Sequence, residues 1–290
     1  MTVDGDRERV RQSPRWSPGR VSLPGRFDSG EVEPDVAEVV VLGEVYLAVA
    51  SGCGVGEDVS IAPSFHDGNC DAHVADLLLL PRQGEIHAVP RQDAELTHQP
   101  SNDPSERIFS VDWQPGAETL VARDDEARKL EAAALDRGAL ACAAQQLGVA
   151  QRLVEMAVEY ACQRKQFGKP IGSFQAIKHM LANVQVRLEY ARPTVYRAAH
   201  SVARNSAHRA VDVSMAKSAA SEVAQQAGKV ALQVYGALGY TWEQDLHIWM
   251  RRAWSLEAAW GNGAWHRSRV AEAILDSDAV AGTFGYSSPV

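Results

Sequence analysis

No two cysteines in this sequence stand at CxxC spacing; Cys53, Cys70, Cys142 and Cys162 are scattered along the chain. That spacing excludes a zinc ribbon or a dithiol redox centre. Two of the four fall in helical runs, where a small buried thiol is ordinary, so the expectation is a reducing, cytoplasmic compartment and no structural metal. No histidine pair has metal-ligand spacing, and no Ser/His/Asp or Cys/His set can be assembled. No apolar run approaches the length of a membrane span, and the first residues lack the apolar core of a signal peptide. Basic residues never form a block: 29 Lys and Arg are mixed with 37 Asp and Glu, for a formal charge of -8, which argues against nucleic acid as a partner. Hydrophobic residues make up 46% of 290, enough to build a sizeable core in one large domain or two ordinary ones.

The pattern changes along the chain. Residues 1–35 are rich in Arg, Asp, Pro and Gly, with Pro14, Pro18 and Pro24 too frequent for helix or central strand. They read as a flexible arm, a purely disordered leader being the simpler reading and docking through Trp16 the alternative. Residues 36–123 read as a small antiparallel barrel or sandwich. Its expected strands are Val39–Leu42, Val45–Val49, Val59–Ala62, Val74–Leu80, Ile86–Val89 and Ile108–Trp113. Residues 124–279 read as an α-helical bundle of the four-helix type, followed by a tail at 280–290. In the first helix Leu140, Ala143, Ala144, Leu147, Ala150, Val154, Ala157, Val158 and Ala161 recur at steps of three and four. Further helices are expected from Ser173 to about Asn205, Ala210 to Tyr235, Glu243 to Trp260 and Ala264 to Leu275. Pro193 predicts a kink in the second, and Gly236 and Gly239 end the third.

Four stretches carry candidate chemistry. The first is Gln163 to His179, QRKQFGKPIGSFQAIKH. Arg164 closes one helix, Phe167-Gly168 and Pro170 break the chain, and Ser173 is placed to cap the next helix. Helix termination accounts for Arg164 but not for a Phe in a polar hinge or for Gln175 in the following turn. An Arg fork beside free N–H groups at a helix start suits phosphate oxygens. The second is Gln233 to Tyr240, where a glycine cap is the simple reading and a floor for a flat ring the functional one. The third is Trp242 to Trp265, holding five of the seven Trp, which reads mainly as core or interface. The fourth, Arg251-Arg252 with Asp245 and His247, reads as a solvated or interfacial salt-bridge face.

RKQFGKPIGSFQAIKH and QVYGALGYTWEQDLHIWMRRA, with the long helices between them, resemble the C-terminal bundle of the acyl-CoA dehydrogenases. Val74 to Val121 resembles the second half of that family's middle β domain. The GYTWEQDLHIWMRRA wording is similar to short, divergent members beside steroid and cholesterol catabolism in actinobacteria, which assemble with a longer dehydrogenase subunit into heterotetramers. The resemblance implies FAD as cofactor, an acyl-CoA substrate, and an electron-transfer flavoprotein or similar acceptor. It implies that Arg164 and Phe167, with Gln166, hold the pyrophosphate and adenine side of FAD across a subunit boundary. Gln175, Gln233 and Gly236 match the family's other cofactor positions, while Ala237 replaces a glycine.

The departures concern catalysis. The family removes an α-proton with a glutamate that lies before Gly-Thr or Gly-Ser in the last helices. Here Trp260 stands at that place, and indole cannot abstract a proton. The family's alternative position, near the LDR stretch, is Gly138. Glu257 is the one carboxylate nearby, one turn before Trp260. The family's N-terminal helical domain is expected to be absent or truncated, and no flavin-ring loop is recognisable in the β region. The sequence therefore reads as a subunit that contributes part of an interfacial FAD site and has no catalytic residue of its own. The alternative is a structural or regulatory subunit without flavin.

Overall fold

The computed structural model describes residues 41–42, 44–45, 61–63 and 69–275. The expected arm at 1–35 with Trp16, strand residues 46–49, Cys53 and the tail at 280–290 lie outside them. Among the described residues nine strands precede the bundle: β1 (Val41–Leu42), β2 (Glu44–Val45), β3 (Ile61–Pro63), β4 (Asn69–Cys70), β5 (Leu77–Arg82), β6 (Glu85–Pro90), β7 (Glu95–Gln99), β8 (Ile108–Asp112) and β9 (Leu120–Arg123). They form a β1–β2 hairpin, a four-stranded sheet ordered β3-β5-β6-β9 and a three-stranded sheet ordered β4-β8-β7. Pairing is antiparallel except between β3 and β5, which run parallel, a departure from the all-antiparallel expectation.

The β5–β6 hairpin turns on Gln83 and Gly84, both at positive φ, the geometry that matches the right-handed twist of the strands. Leu78, Leu80 and Val89 point from this sheet onto Leu96, Phe109, Val111 and Trp113 from the other side. The β region is thus a small sandwich. Strands β4, β7 and β9 are additions to the sequence reading.

Among the described residues five helices follow: α1 (Asp124–Gln163), α2 (Gln175–Ala203), α3 (Arg209–Tyr235), α4 (Leu246–Ala258) and α5 (Gly263–Leu275). A short hairpin, β10 (Lys165–Gln166) with β11 (Lys169–Pro170), joins α1 to α2. Side-chain bonds fix the helix directions. Asp136 meets Arg209, Gln146 meets Ser221, and Met156 meets Tyr235, so α1 and α3 run parallel. Arg187 pairs with Glu222 and Arg197 with Asp212, so α2 runs back against α3. Helices α4 and α5 descend α3 in succession: Met250 packs at Gly228, Lys217 reaches Leu256 and Glu257, and His266 reaches Ser214. The alanines Ala216, Ala220, Ala224, Ala227 and Ala231 are buried in α3 and let its neighbours approach closely.

Two details correct the sequence reading. Ala144 and Val158 of α1 face solvent rather than the core. Ser173 does not cap α2: its Oγ donates to the Pro170 carbonyl at 2.7 Å, and the cap residue is Phe174. Helix α2 continues through Pro193 without interruption.

Candidate functional site

Arg164, Gln166, Phe167, Gln175, Gln233 and Gly236 gather at one end of the bundle. Helices α1 and α3 end there, and α2 begins there. Tyr160 stacks on Tyr235 at 4.2 Å between ring centres, and the Tyr235 hydroxyl donates to the Met156 carbonyl at 3.3 Å. This locks the two helix ends together. Burial and the nearby Glu159 carboxylate push the Tyr235 hydroxyl above its ordinary pKa, so it stays a donor. Gly172 passes so near the Ala161 carbonyl that a Cβ would stand 3.1 Å from that oxygen, which holds the α2 entry against α1.

The β10–β11 hairpin has a two-residue turn with both residues at positive φ, 51° at Phe167 and 78° at Gly168. Such φ values suit Asn and Gly, and an aromatic residue there is strained. The ring of Phe167 is 91% exposed, meeting Phe174 only edge-on at 6.2 Å. Lys169 lies over the opposite partner, Phe174, at 4.4 Å. Arg164, Gln166, Gln175, Gln233 and Gly236 are all exposed, and no side chain caps the N-terminus of α2. Gly236 takes φ 62°, and a Cβ there would meet nothing. The end of the bundle therefore offers cations, amide side chains, an open helix start and an upright aromatic ring, chemistry that suits a diphosphate joined to a flat heterocycle.

A second locus sits far from the first. The turn between α4 and α5 places Trp260 at φ 57° and Gly261 at φ 90°. The Trp260 indole lies on Gly138 of α1, where a Cβ would collide with the ring at its Cδ2 atom. The two positions singled out for a catalytic carboxylate are thus in contact, and neither holds one. From Gly138 to Arg164 is about 39 Å along α1 at 1.5 Å per residue.

Buried polar groups hold this turn, and the sequence reading did not name them. His266 is fully buried; its Nε2–H donates to the Trp260 carbonyl at 2.9 Å, and Nδ1 stands 3.1 Å from Ser214 Oγ. Burial pushes its pKa down to about 4, so the ring is neutral. Lys217, also fully buried, donates to the carbonyls of Leu256 and Glu257 at 2.9 and 3.0 Å, a cation at the C-terminus of α4. Burial lowers its pKa. Glu257 accepts the Gly263 N–H at 3.1 Å and so fastens the start of α5. The sequence did carry a sign of Lys217: it falls in step with Val213, Ala220, Ala224, Ala227 and Ala231, a core phase where lysine is out of place.

Of the solvated and interfacial salt-bridge faces expected for Arg252, the second is found: it makes an inward clasp, donating to Asp103 at 3.3 Å, Glu106 at 2.6 Å and Gln145 at 2.8 Å. Arg251 lies over the Trp242 ring at 4.6 Å. Of the Trp cluster, Trp242, Trp254 and Trp265 are exposed, while Trp249 and Trp260 pack partly against the core. Among the described residues there is no His, Cys, Asp and Glu cluster able to hold a metal. None of the described helices is long and apolar enough to cross a membrane.

A β sandwich followed by an α-helical bundle defines the fold of the described residues. Residues 129–275 match the model of the acyl-CoA dehydrogenase C-terminal domain, and the chain belongs to the acyl-CoA dehydrogenase family, a family of FAD flavoproteins. It is 32% identical over 180 residues to the acyl-CoA dehydrogenase IpdE2 of Mycobacterium tuberculosis, covering 62% of this chain and 51% of that one. It is 30% identical over 242 residues to the acyl-CoA dehydrogenase FadE34 of the same organism, covering 81% and 33% respectively. The alignments thus span about half of IpdE2 and a third of FadE34. The fold is similar to that of the ChsE4-ChsE5 complex from Mycobacterium tuberculosis, with TM-score 0.64 and 24% identity over 77% of this chain and 65% of that one.

Proposed function

We propose that this chain is a subunit of a flavin-dependent acyl-CoA dehydrogenase complex that completes a neighbouring subunit's FAD site. The reaction is α,β-dehydrogenation of an acyl-CoA thioester to the trans-2-enoyl-CoA, with a bulky, steroid-like acyl group as the substrate class. Bound FAD would supply the hydride acceptor. Arg164 would hold the pyrophosphate, with Gln166 and Gln175 beside it. Phe167 would cover the adenine side, and Gln233 and Gly236 would form the floor. A second dehydrogenase subunit would supply the catalytic base and the flavin-ring pocket, and an electron-transfer flavoprotein would take the electrons onward. The complex formed by ChsE4 with ChsE5 is the model for such an assembly.

One observation carries this reading. The Trp260 indole fills the space over Gly138, so the locus suited to a base and an acyl group is closed, while the opposite end is open. Glu257 is engaged with Gly263 and is not poised as a substitute base. About 39 Å of helix separates the two loci, too far for one dinucleotide to serve both within a single chain.

The test is the flavin spectrum and native mass of the chain alone and with its partner dehydrogenase. The expected result is yellow protein only on co-expression, with two copies of each chain. Arg164→Ala should then weaken FAD retention about tenfold or more with the helical signal unchanged, as loss of a charge-assisted bond predicts. Unaltered flavin content in that variant would remove Arg164 from the site. Ala237, in place of a glycine, favours the second reading, a structural subunit without flavin; a colourless, stable complex would establish that reading instead.

A further inference from the structure

The end of the bundle that carries the candidate site is basic throughout. From residue 160 to residue 188 the sequence has Arg164, Lys165, Lys169, Lys178 and Arg187 and no carboxylate. Arg187 is engaged by Glu222 of α3 at 2.7 Å. A single phosphate-binding Arg does not account for the two lysines of the β10–β11 hairpin, Lys165 and Lys169.

The hairpin separates these lysines. Gln166 pairs with Lys169 and Lys165 with Pro170, and the Ile171 N–H donates to the Arg164 carbonyl at 2.8 Å. Side chains alternate along a strand, and residues paired across a hairpin share a face. Arg164, Gln166 and Lys169 therefore stand on one face and Lys165 on the other. The first face turns toward the start of α2. Lys169 Nζ lies 4.4 Å from the centre of the Phe174 ring, and Phe174 immediately precedes Gln175. Lys169 is thus level with Gln166 and next to Gln175, on the side that Arg164 occupies. The ring steadies the ammonium group without neutralising it. The diphosphate of a dinucleotide carries two negative charges, and Arg164 answers one of them.

We infer that Lys169 is the second cation for the diphosphate of the bound dinucleotide, seated on Phe174 and set beside Arg164 by the hairpin register. The inference rests on the flavin reading and adds to it a residue that the sequence did not single out. Lys165 supplies the control, since it carries the same charge on the same hairpin and points away. The flavin-depleted complex of the full chain with its partner dehydrogenase is titrated with FAD and followed by flavin fluorescence. ADP-ribose, which has the diphosphate but no flavin ring, is titrated as a competitor. Lys169→Met should raise both dissociation constants by the same factor, about tenfold or more, as loss of a charge-assisted bond predicts. Lys165→Met should change neither by more than about twofold, because an exposed charge off the face is screened. Lys169→Arg should stay within about threefold of the unsubstituted complex, since Arg also carries its charge over an aromatic face. Helical signal and native mass should be the same for every variant. Equal weakening by Lys165→Met and Lys169→Met would overturn the inference and leave a general attraction of the basic end. So would unchanged binding in Lys169→Met, or a loss seen with FAD and not with ADP-ribose. Failure of the flavin reading itself shows separately: the unsubstituted complex then takes up no FAD, and the inference falls with it.

Discussion

Glycine acts in opposite senses at two points of one helix. Gly138 has the Trp260 indole against it, so a methyl there collides with a ring that α4, α5 and His266 hold in place. Gly148, ten residues on, is exposed and would put its methyl into open space. Gly138→Ala should destabilise the fold by about 1–3 kcal/mol, because overpacking outweighs the gain in helix propensity. Gly148→Ala should stabilise by about 0.5–1 kcal/mol. Urea unfolding followed by circular dichroism measures both, and equal signs for the two would show that the indole yields. At this scale the sequence was readable only for backbone. Phe167-Gly168 was visible as a chain break, but the left-handed turn that stands the ring upright was not, because Phe is a poor predictor of positive φ. Ser173 was misread because a short turn over Ile171–Ser173 delays the start of α2, which leaves Phe174 at the cap position.

At the scale of elements, helix periodicity located the five described helices to within a few residues, most clearly α1 and α2, which bury long stripes in the bundle. Strands β7 and β9 escaped because ELTHQ has a single apolar residue and LVAR is too short to show alternation, and tertiary pairing makes the strand. The α4–α5 turn has a property that composition does not show, its dependence on a buried neutral histidine. The pKa of His266 is about 4 in the fold against 6.5 when solvated. Acid is therefore taken up by the unfolded chain first, and stability present above pH 6.5 is lost as pH falls toward 4. The loss should reach up to about 3 kcal/mol. His266→Gln should be less stable at pH 7 yet show a flatter dependence across that window. Unfolding midpoints measured at intervals from pH 7.5 to pH 4 decide this, and parallel curves for the two proteins would exclude His266 as the cause.

At the scale of the whole molecule, the clasp of Arg252 joins the β region to the bundle across 149 residues of sequence. Its partner Asp103 is buried, and Glu106 also accepts from Ser255. No spacing rule reveals such a pair, and this is why the sequence left Arg252 between a solvated and an interfacial salt-bridge face and named neither Asp103 nor Glu106 as its partner. Arg252→Ala strips a buried carboxylate of its counter-charge and should cost about 3 kcal/mol, with faster hydrogen exchange at residues 101–107. Arg252→Lys should recover little of it, because an ammonium cannot span three acceptors. Protection of that loop unchanged in both variants would mean that packing alone joins the two parts. The candidate site divides in the same way. Its motif residues were legible because they cluster in two short runs, whereas the Trp260–Gly138 contact needed the fold to bring α1 and the last turn together.

The length of α1 has a consequence for how such a chain can change over generations. A substitution at the Trp260 end lies tens of ångströms from Arg164, well past the distance at which effects couple, so the two ends accumulate change independently. A copy of an enzyme built this way can lose its own chemistry by one or two substitutions and still be kept for the end it lends to a neighbour. The same separation makes it a natural starting point for a division of labour, in which one descendant keeps the reaction and the other keeps the grip.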